Sequence, residues 1–315
     1  MMTVYHNAHA GEFQKVAQIT PNSWIQLQAP NAQELKTVAN TLNVPLAFLT
    51  AAQNPDERPR LETHGQHTLL LVHVPLNDPA VEHSFDDVKY RTMPLAIIFS
   101  EQHLITVCQA DCFFNRGFLI QHNILINQAN RSHNALTVLN QTAHAFIGFM
   151  KVVEAAIQQA EQELANSYRN QELYTLLYLN ESLLYMATSL KQLRHLMQQI
   201  DADALLSMND AERALYDDTV VELQQVSAVT EISQLNLNNV MDAYGNIIQN
   251  NVSHVVKLLT AITIVLSIPT LIASIYGMNV PLPYQDEPHA FSAVITSMVI
   301  VSAFVAYIFH KKRYF

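Results

Sequence analysis

The chain has 315 residues, room for one large domain or two ordinary ones, and half of them are apolar while 14% are charged. A formal net charge of −10 excludes a nucleic-acid partner, because phosphate binding needs clustered Lys and Arg. Gly11, Gly65, Gly117, Gly148, Gly245 and Gly277 are never spaced for GxGxxG or a phosphate loop, and HExxH and GxSxG are missing, so no nucleotide site and no enzyme are expected.

The opening MMTVYHNAHAGEF lacks the basic and apolar regions of a signal peptide, and none is expected. Residues 1–116 read as a mixed α/β unit. Trp24 to Gln28 is a strand candidate, and the following PNAQELKTVANTLNVP carries Asn31 as N-cap with Glu34 three positions on, a capping-box spacing. HTLLLVHVPL (67–76) suits a buried strand, and LAIIFSEQHLITVCQ (95–109) reads as two strands turning near Glu101 and Gln102. His64 and His67 make an HxxH, with His73 nearby, and the expectation is ordinary surface histidine. Cys108 and Cys112 form a CxxxC pair without further cysteine, for which two reduced thiols are expected.

Residues 117–257 read as a long-helix stalk. The stretch from Ala135 to Leu193 has no proline and repeats apolar residues at three- and four-residue steps, so one long helix is predicted there. DADALLSMNDAER ends it and caps the next, which starts near Asp210 and carries Leu237, Val240, Tyr244, Ile247 and Asn251 in coiled-coil spacing.

Leu258 to Ile275 is eighteen residues without a charge, roughly 27 Å of helix, and Phe291 to Phe309 adds nineteen more. Both approach or match the length needed to cross a hydrocarbon core of about 30 Å. The predicted spans are 258–276 and 291–309, with a loop at 277–290 and a basic tail at 310–315. Lys257 precedes the first span and His310, Lys311, Lys312 and Arg313 follow the second, while the loop has Asp286 and Glu287 but no Lys or Arg. The positive-inside rule then puts both termini in the cytoplasm of a cell-membrane protein.

Thr260, Thr263, Ser267, Thr270, Ser274 and Gly277 recur at steps of 3, 4, 3, 4 and 3, a stripe of small residues on one face of the first span. Such a stripe either packs helices closely or lines a wet path. Two spans cannot enclose water alone, so the wet path requires a homo-oligomer closed into a ring. At the outer end of the stripe, Gly277 can end the helix or let backbones crowd, and Pro281 and Pro283 prevent its continuing. Asn279 either caps the helix or turns its carboxamide oxygen to an entrance, where a hydrated divalent cation would suit it.

YGMN (Tyr276–Asn279) ending the first of two C-terminal spans, a Lys-rich tail and the stretch DERPRLETHGQHTLLLVHVP (56–75) together resemble the CorA family of magnesium transporters over essentially the whole chain. The resemblance implies an α+β cytosolic N-terminal domain, then long stalk helices and two C-terminal transmembrane helices, assembled as a funnel-shaped homopentamer in the lipid bilayer. It implies that Gly277, Met278 and Asn279 form the selectivity filter and that Ser253, Leu259, Ser267, Thr270 and Ser274 line the pore, beside Thr260 and Thr263 of the stripe. Leu259 would be a hydrophobic constriction. Some members carry a bulky apolar residue at Ser267, and the common MPEL after the motif is missing, where Asp286 and Glu287 would attract cations instead. The family also senses internal Mg2+ between cytosolic domains, and the candidates here are Asp217 and Asp218 on the stalk, opposite Asp86 or Asp87. The function implied is movement of hydrated Mg2+ down its electrochemical gradient, with Mg2+ both transported and regulatory. A zinc, Co2+ or Ni2+ transporter of the same architecture is the alternative, and a non-conducting membrane-anchored scaffold is the second.

Overall fold

Seven short runs rich in β-branched and aromatic residues become strands in the computed structural model: β1 (Met2–His9), β2 (Glu12–Val16), β3 (Ser23–Gln28), β4 (Arg60–His64), β5 (His67–Asn77), β6 (Tyr90–Phe99) and β7 (His103–Cys108). The structure describes residues 1–9, 12–77, 89–126, 130–166, 170–280 and 287–312. The strands form one sheet in the order β2-β1-β3-β7-β6-β5-β4, antiparallel except for the β3–β7 pair. Helices α1 (Ala32–Leu42), α2 (Leu46–Thr50), α3 (Arg116–Gln121), α4 (Arg131–Asn166), α5 (Asn170–Ala202), α6 (Asp210–Tyr276) and α7 (Ala290–Lys311) complete the chain. It divides into two compact units, residues 1–238 and 239–315.

Alternation along β3 sorts the core of the first unit. Ile25 and Leu27 join Leu69, Leu71, Ile98 and Ile105 on one face, under Leu35 and Val38 of α1 and Phe48 and Leu49 of α2. Trp24 points the other way and is fully buried, stacked on Tyr5 at 4.9 Å with Phe13 and Phe114 edge-on. Its indole N–H donates to Thr106 Oγ1 at 3.0 Å, so the one polar atom of this large ring is satisfied.

The capping box at α1 is complete: Asn31 Oδ1 accepts from the backbone of Gln33 and Glu34, and the Glu34 carboxylate accepts from the Asn31 N–H at 3.0 Å. Glu34 also accepts from the Met2 N–H, which ties α1 to β1. These donors, led by Asn31, hold the Glu34 carboxyl below its ordinary pKa. β4 and β5 join through a two-residue turn at Gly65, whose φ of +58° is one that a side chain would strain.

Two expectations need correction. The predicted single helix over 135–193 is two helices, α4 and α5, which pack on each other and against β5 and β6. Periodicity ran unbroken because each helix buries its own apolar face in that layer. The histidines are also not all on the surface: His64 is exposed, but His67 and His73 are buried. His73 sits between β5 and α5, its Nε2 2.7 Å from the Glu57 carbonyl and its Nδ1 2.9 Å from Ser189 Oγ. Since a carbonyl only accepts, Nε2 carries the proton and Nδ1 accepts from the serine.

Burial pushes His67, His73 and His103 below the ordinary histidine pKa, with His64 opposing charge on His67 and His67 opposing it on His103. The carbonyls of Asn43, Glu57 and Thr20 pull the other way, as does Asp56 at His73, but desolvation comes first in each case. The unfolded chain therefore takes up protons near pH 6.5 that the folded chain still refuses. Stability contributed by these residues is whole above that pH and is lost as the pH falls through it toward the lower folded values. Thermal melting of the protein should be flat above about pH 7 and fall steadily below about pH 6.5; His73→Gln should lessen the fall, and a slope indifferent to all three histidines would show that they stay neutral in both states.

Candidate functional site

In the 239–315 unit, α6 carries its uncharged stretch toward Tyr276 and α7 follows after the turn at Glu287–His289. Both helices have a window long and apolar enough to span a membrane, and the folded chain covers almost none of either. A helix apolar on nearly every side is unstable in water, and a hydrocarbon surround removes the conflict.

α6 has two distinct faces here. Leu258, Ala261, Val265, Ile268 and Ile272 are the more covered positions, and Val265 and Pro269 meet Ile295, Met298, Val299 and Ser302 of α7 across an apolar groove of about 390 Å3. Pro269 has no N–H, so the Val265 carbonyl loses its helical partner, and Ser302 Oγ on the same groove is buried without one. Thr260, Thr263, Ser267, Thr270, Ser274 and Gly277 are all exposed. At 100° per residue they lie on the side of α6 opposite the covered face, so their hydroxyls do not pack α6 on α7.

What those hydroxyls do is visible in their hydrogen bonds. Thr260 donates to the Val256 carbonyl at 2.8 Å, Thr263 to Leu259 at 2.8 Å, Ser267 to Ile264 at 2.9 Å and Thr270 to Leu266 at 3.0 Å. Ser253 does the same to Gln249 at 2.8 Å. Each hydroxyl hydrogen is therefore spent on its own helix, and only oxygen lone pairs remain to face outward. Lone pairs without a donor suit a cation or its water shell and repel an anion.

At the head of the stripe the helix tightens and stops. Gly277 N–H donates to Ala273 at 2.9 Å and Met278 N–H to Ile275 at 3.2 Å. Gly277 is not in the left-handed region, so it does not end the helix by that route. A Cβ there would sit 3.2 Å from the Ala273 carbonyl oxygen of the same helix, a tight contact that glycine avoids. Asn279 is exposed just beyond the last turn of the helix. Leu259 is 64% exposed on a neighbouring face. The stripe also continues below the predicted span, which spacing within the span alone did not reveal: Ser253, Gln249, Asn246 and Asp242 follow at the same steps, interrupted by Val256. Extending the 3-4 count toward the N-terminus would have found them.

The remaining candidates are scattered. Asp286, Asp86 and Asp87 lie outside the described residues, as do Pro281, Pro283 and Arg313, and Glu287 is exposed at the turn before α7. Asp217 is paired with Arg213 one turn earlier at 3.4 Å, and Arg213 also binds Asp201, which raises its pKa further. Asp218 is exposed. Among the described residues no group of three His, Cys, Asp or Glu side chains is gathered as a metal cluster.

A mixed-sheet unit and two apolar helices that the folded chain leaves bare, one of them the end of the 67-residue α6 before Gly277–Asn279, are the features of a membrane protein. A family model described as CorA-like Mg2+ transporter protein matches residues 21–312, and the chain belongs to that family. The cobalt/magnesium transport protein CorA of Methanocaldococcus jannaschii is 22% identical over 299 residues, covering 91% of this chain and 90% of that protein. The complete structure of the CorA magnesium transporter from that organism superposes with a TM-score of 0.80 at 19% identity, over 98% of this chain and 97% of the other. A magnesium transport protein CorA from Campylobacter jejuni is 25% identical over 113 residues, 35% of each chain. The α+β unit, the long helix and the apolar C-terminal helices are thus a family architecture.

Replacing Thr263 and Thr270 together by Val keeps their shape and removes only the oxygen. Because these hydroxyls bond nothing beyond their own helix, helix content and melting in detergent should stay within about 0.5 kcal/mol of the parent. A large loss by circular dichroism would mean instead that they hold helices together.

Proposed function

We propose that this chain conducts hydrated Mg2+ through a ring of identical copies, with the hydroxyl face of α6 on the axis and Asn279 at the outer mouth. The observation that carries this reading is the exposed stripe turned away from α7, whose hydroxyls keep only acceptor lone pairs free. Mg2+ gives up its waters reluctantly, so a path of neutral oxygens that bonds to the water shell fits it better than a tight cage of carboxylates. Asn279 carboxamides, one from each copy, would take the entering ion by its shell, with Gly277 and Met278 letting the helix ends crowd there. Inside, Thr260, Thr263, Ser267, Thr270 and Ser274 pass it on toward Leu259 and Ser253. Leu259 is the narrow apolar point that can empty of water and close. The family resemblance supports five copies, and Lys257, Lys311 and Lys312 beside a loop without basic residues support both termini in the cytoplasm.

Energy comes from the membrane. Two charges moving inward gain about 4.6 kcal/mol per 100 mV, so no nucleotide is needed. Closure at high internal Mg2+ would come from carboxylates on the stalk, Asp217 and Asp218, facing an acid such as Asp86 or Asp87 of another copy. Arg213 sets a threshold for that step, because a divalent ion must displace its guanidinium from Asp217.

A second reading, transport of Co2+ or another transition metal, is favoured by the printed name of the M. jannaschii relative, a cobalt/magnesium transport protein. The stripe itself contains no Cys or His, the ligands that a softer ion prefers.

Asn279→Ala should abolish Mg2+ flux into sealed vesicles while the detergent-purified oligomer keeps its mass; undiminished flux would contradict a role at the mouth. The same vesicles with Mg2+ and Co2+ or Zn2+ in competition decide the ion. Asp217→Ala with Asp218→Ala should leave flux intact but weaken its shut-off by internal Mg2+, and unaltered inhibition would remove both as sensors.

A further inference from the structure

Cys108 and Cys112 have no part in the membrane path, and their spacing alone promised only reduced thiols. The fold adds a third sulfur. β6 and β7 pair in a register that sets Leu95 opposite Cys108, and Met93, two residues earlier on the same strand face, brings its Sδ to 3.7 Å from Cys108 Sγ. Past β7 the chain turns through Gln109, Ala110 and Asp111 and brings Cys112 back beside Cys108, the two residues lining one small cavity. Both cysteines line a cavity of about 30 Å3 with Thr106, Leu95 and Phe114, space for about one small occupant. Cys108 and Met93 are each 6% exposed, whereas Cys112 is only partly covered and gives access from outside.

We propose that Cys108, Cys112 and Met93 form a binding site for a soft d10 cation, Cu(I), held by two thiolates and a thioether. Sulfur donors of both kinds select such an ion, and a low coordination number suits it. A hard ion gains nothing from this set. Tetrahedral zinc would need further nitrogen, oxygen or thiolate ligands, and no group of three His, Cys, Asp or Glu is gathered among the described residues. The nearest carboxylate, Asp111, is engaged by Gln28, whose Nε2 donates to Oδ1 at 2.8 Å. Binding is an exchange of one Cu+ for two thiol protons released to water, with no change of oxidation state. Both thiols give up their protons to water as the metal binds, because the thiolate is the ligand. This site is independent of the conduction path and stands whether or not the chain carries Mg2+.

The full-length chain in detergent, reduced and kept free of oxygen, can be titrated with Cu(I) against a chromophoric Cu(I) chelator. One Cu(I) per chain is expected, with thiolate-to-metal charge-transfer absorption in the near ultraviolet. Cys108→Ser and Cys112→Ser should each abolish both signals. Met93→Leu, which conserves apolar volume, should leave the melting temperature unchanged and weaken binding at least roughly tenfold. Copper that stays with the chelator, copper retained equally by the double serine variant, or a Cys108–Cys112 disulfide that forms while no metal is kept would each overturn the assignment.

Discussion

A hydroxyl on a membrane-length helix must place its hydrogen somewhere, and on α6 it is placed on the preceding turn of the same helix. That constraint fixes the chemistry of the whole stripe. Donor capacity is consumed inside the helix, so the face offers acceptors alone from Thr260 to Thr270, at regular steps. An Asn or Asp in place of each Thr would reach further and present charge or donors of its own, and a Val would present nothing. Threonine and serine leave a surface polar enough to stay wet and too weak to strip an ion of its water.

The same helix solves a second problem on its other side. Ala261 is nearly fully covered and Pro269 carries no N–H, so α7 approaches there, with its own small residues Ser302, Ala303 and Ala306 at the groove. The covered residues and the hydroxyl residues therefore lie on different sides of one helix. This separation lets α7 hold α6 without consuming a single oxygen of the stripe. It also means that large apolar side chains such as Leu266 and Leu271, both more than 60% exposed in the lone chain, await lipid or a neighbouring copy.

Much of this was legible in the chain itself because the signals are local or periodic. The capping box at Asn31, strands β3, β5, β6 and β7, the two uncharged helices and the hydroxyl spacing all follow from residues near one another in sequence. What escaped depends on distant partners. β1 and β4 are partly exposed strands near the sheet's edges, and their mixed composition gives no clean alternation. The division of α4 from α5 leaves no proline or glycine mark, and the depth of His73 depends on Ser189, 116 residues away. Within the candidate site, the stripe was readable but the face occupied by α7 was not, because only the fold shows which side of α6 is covered. Met93 could not be linked to Cys108 until the β6–β7 register was known.

The central claim is that the hydroxyl faces of several α6 helices meet around one axis. In a Cys108→Ser, Cys112→Ser background, Thr263→Cys or Thr270→Cys in native membranes should form disulfides between subunits on mild oxidation. Ile272→Cys, on the covered face opposite the stripe, should remain monomeric. Efficient linkage through Ile272 with none through Thr263 and Thr270 would turn the stripe away from the axis and contradict a shared central path.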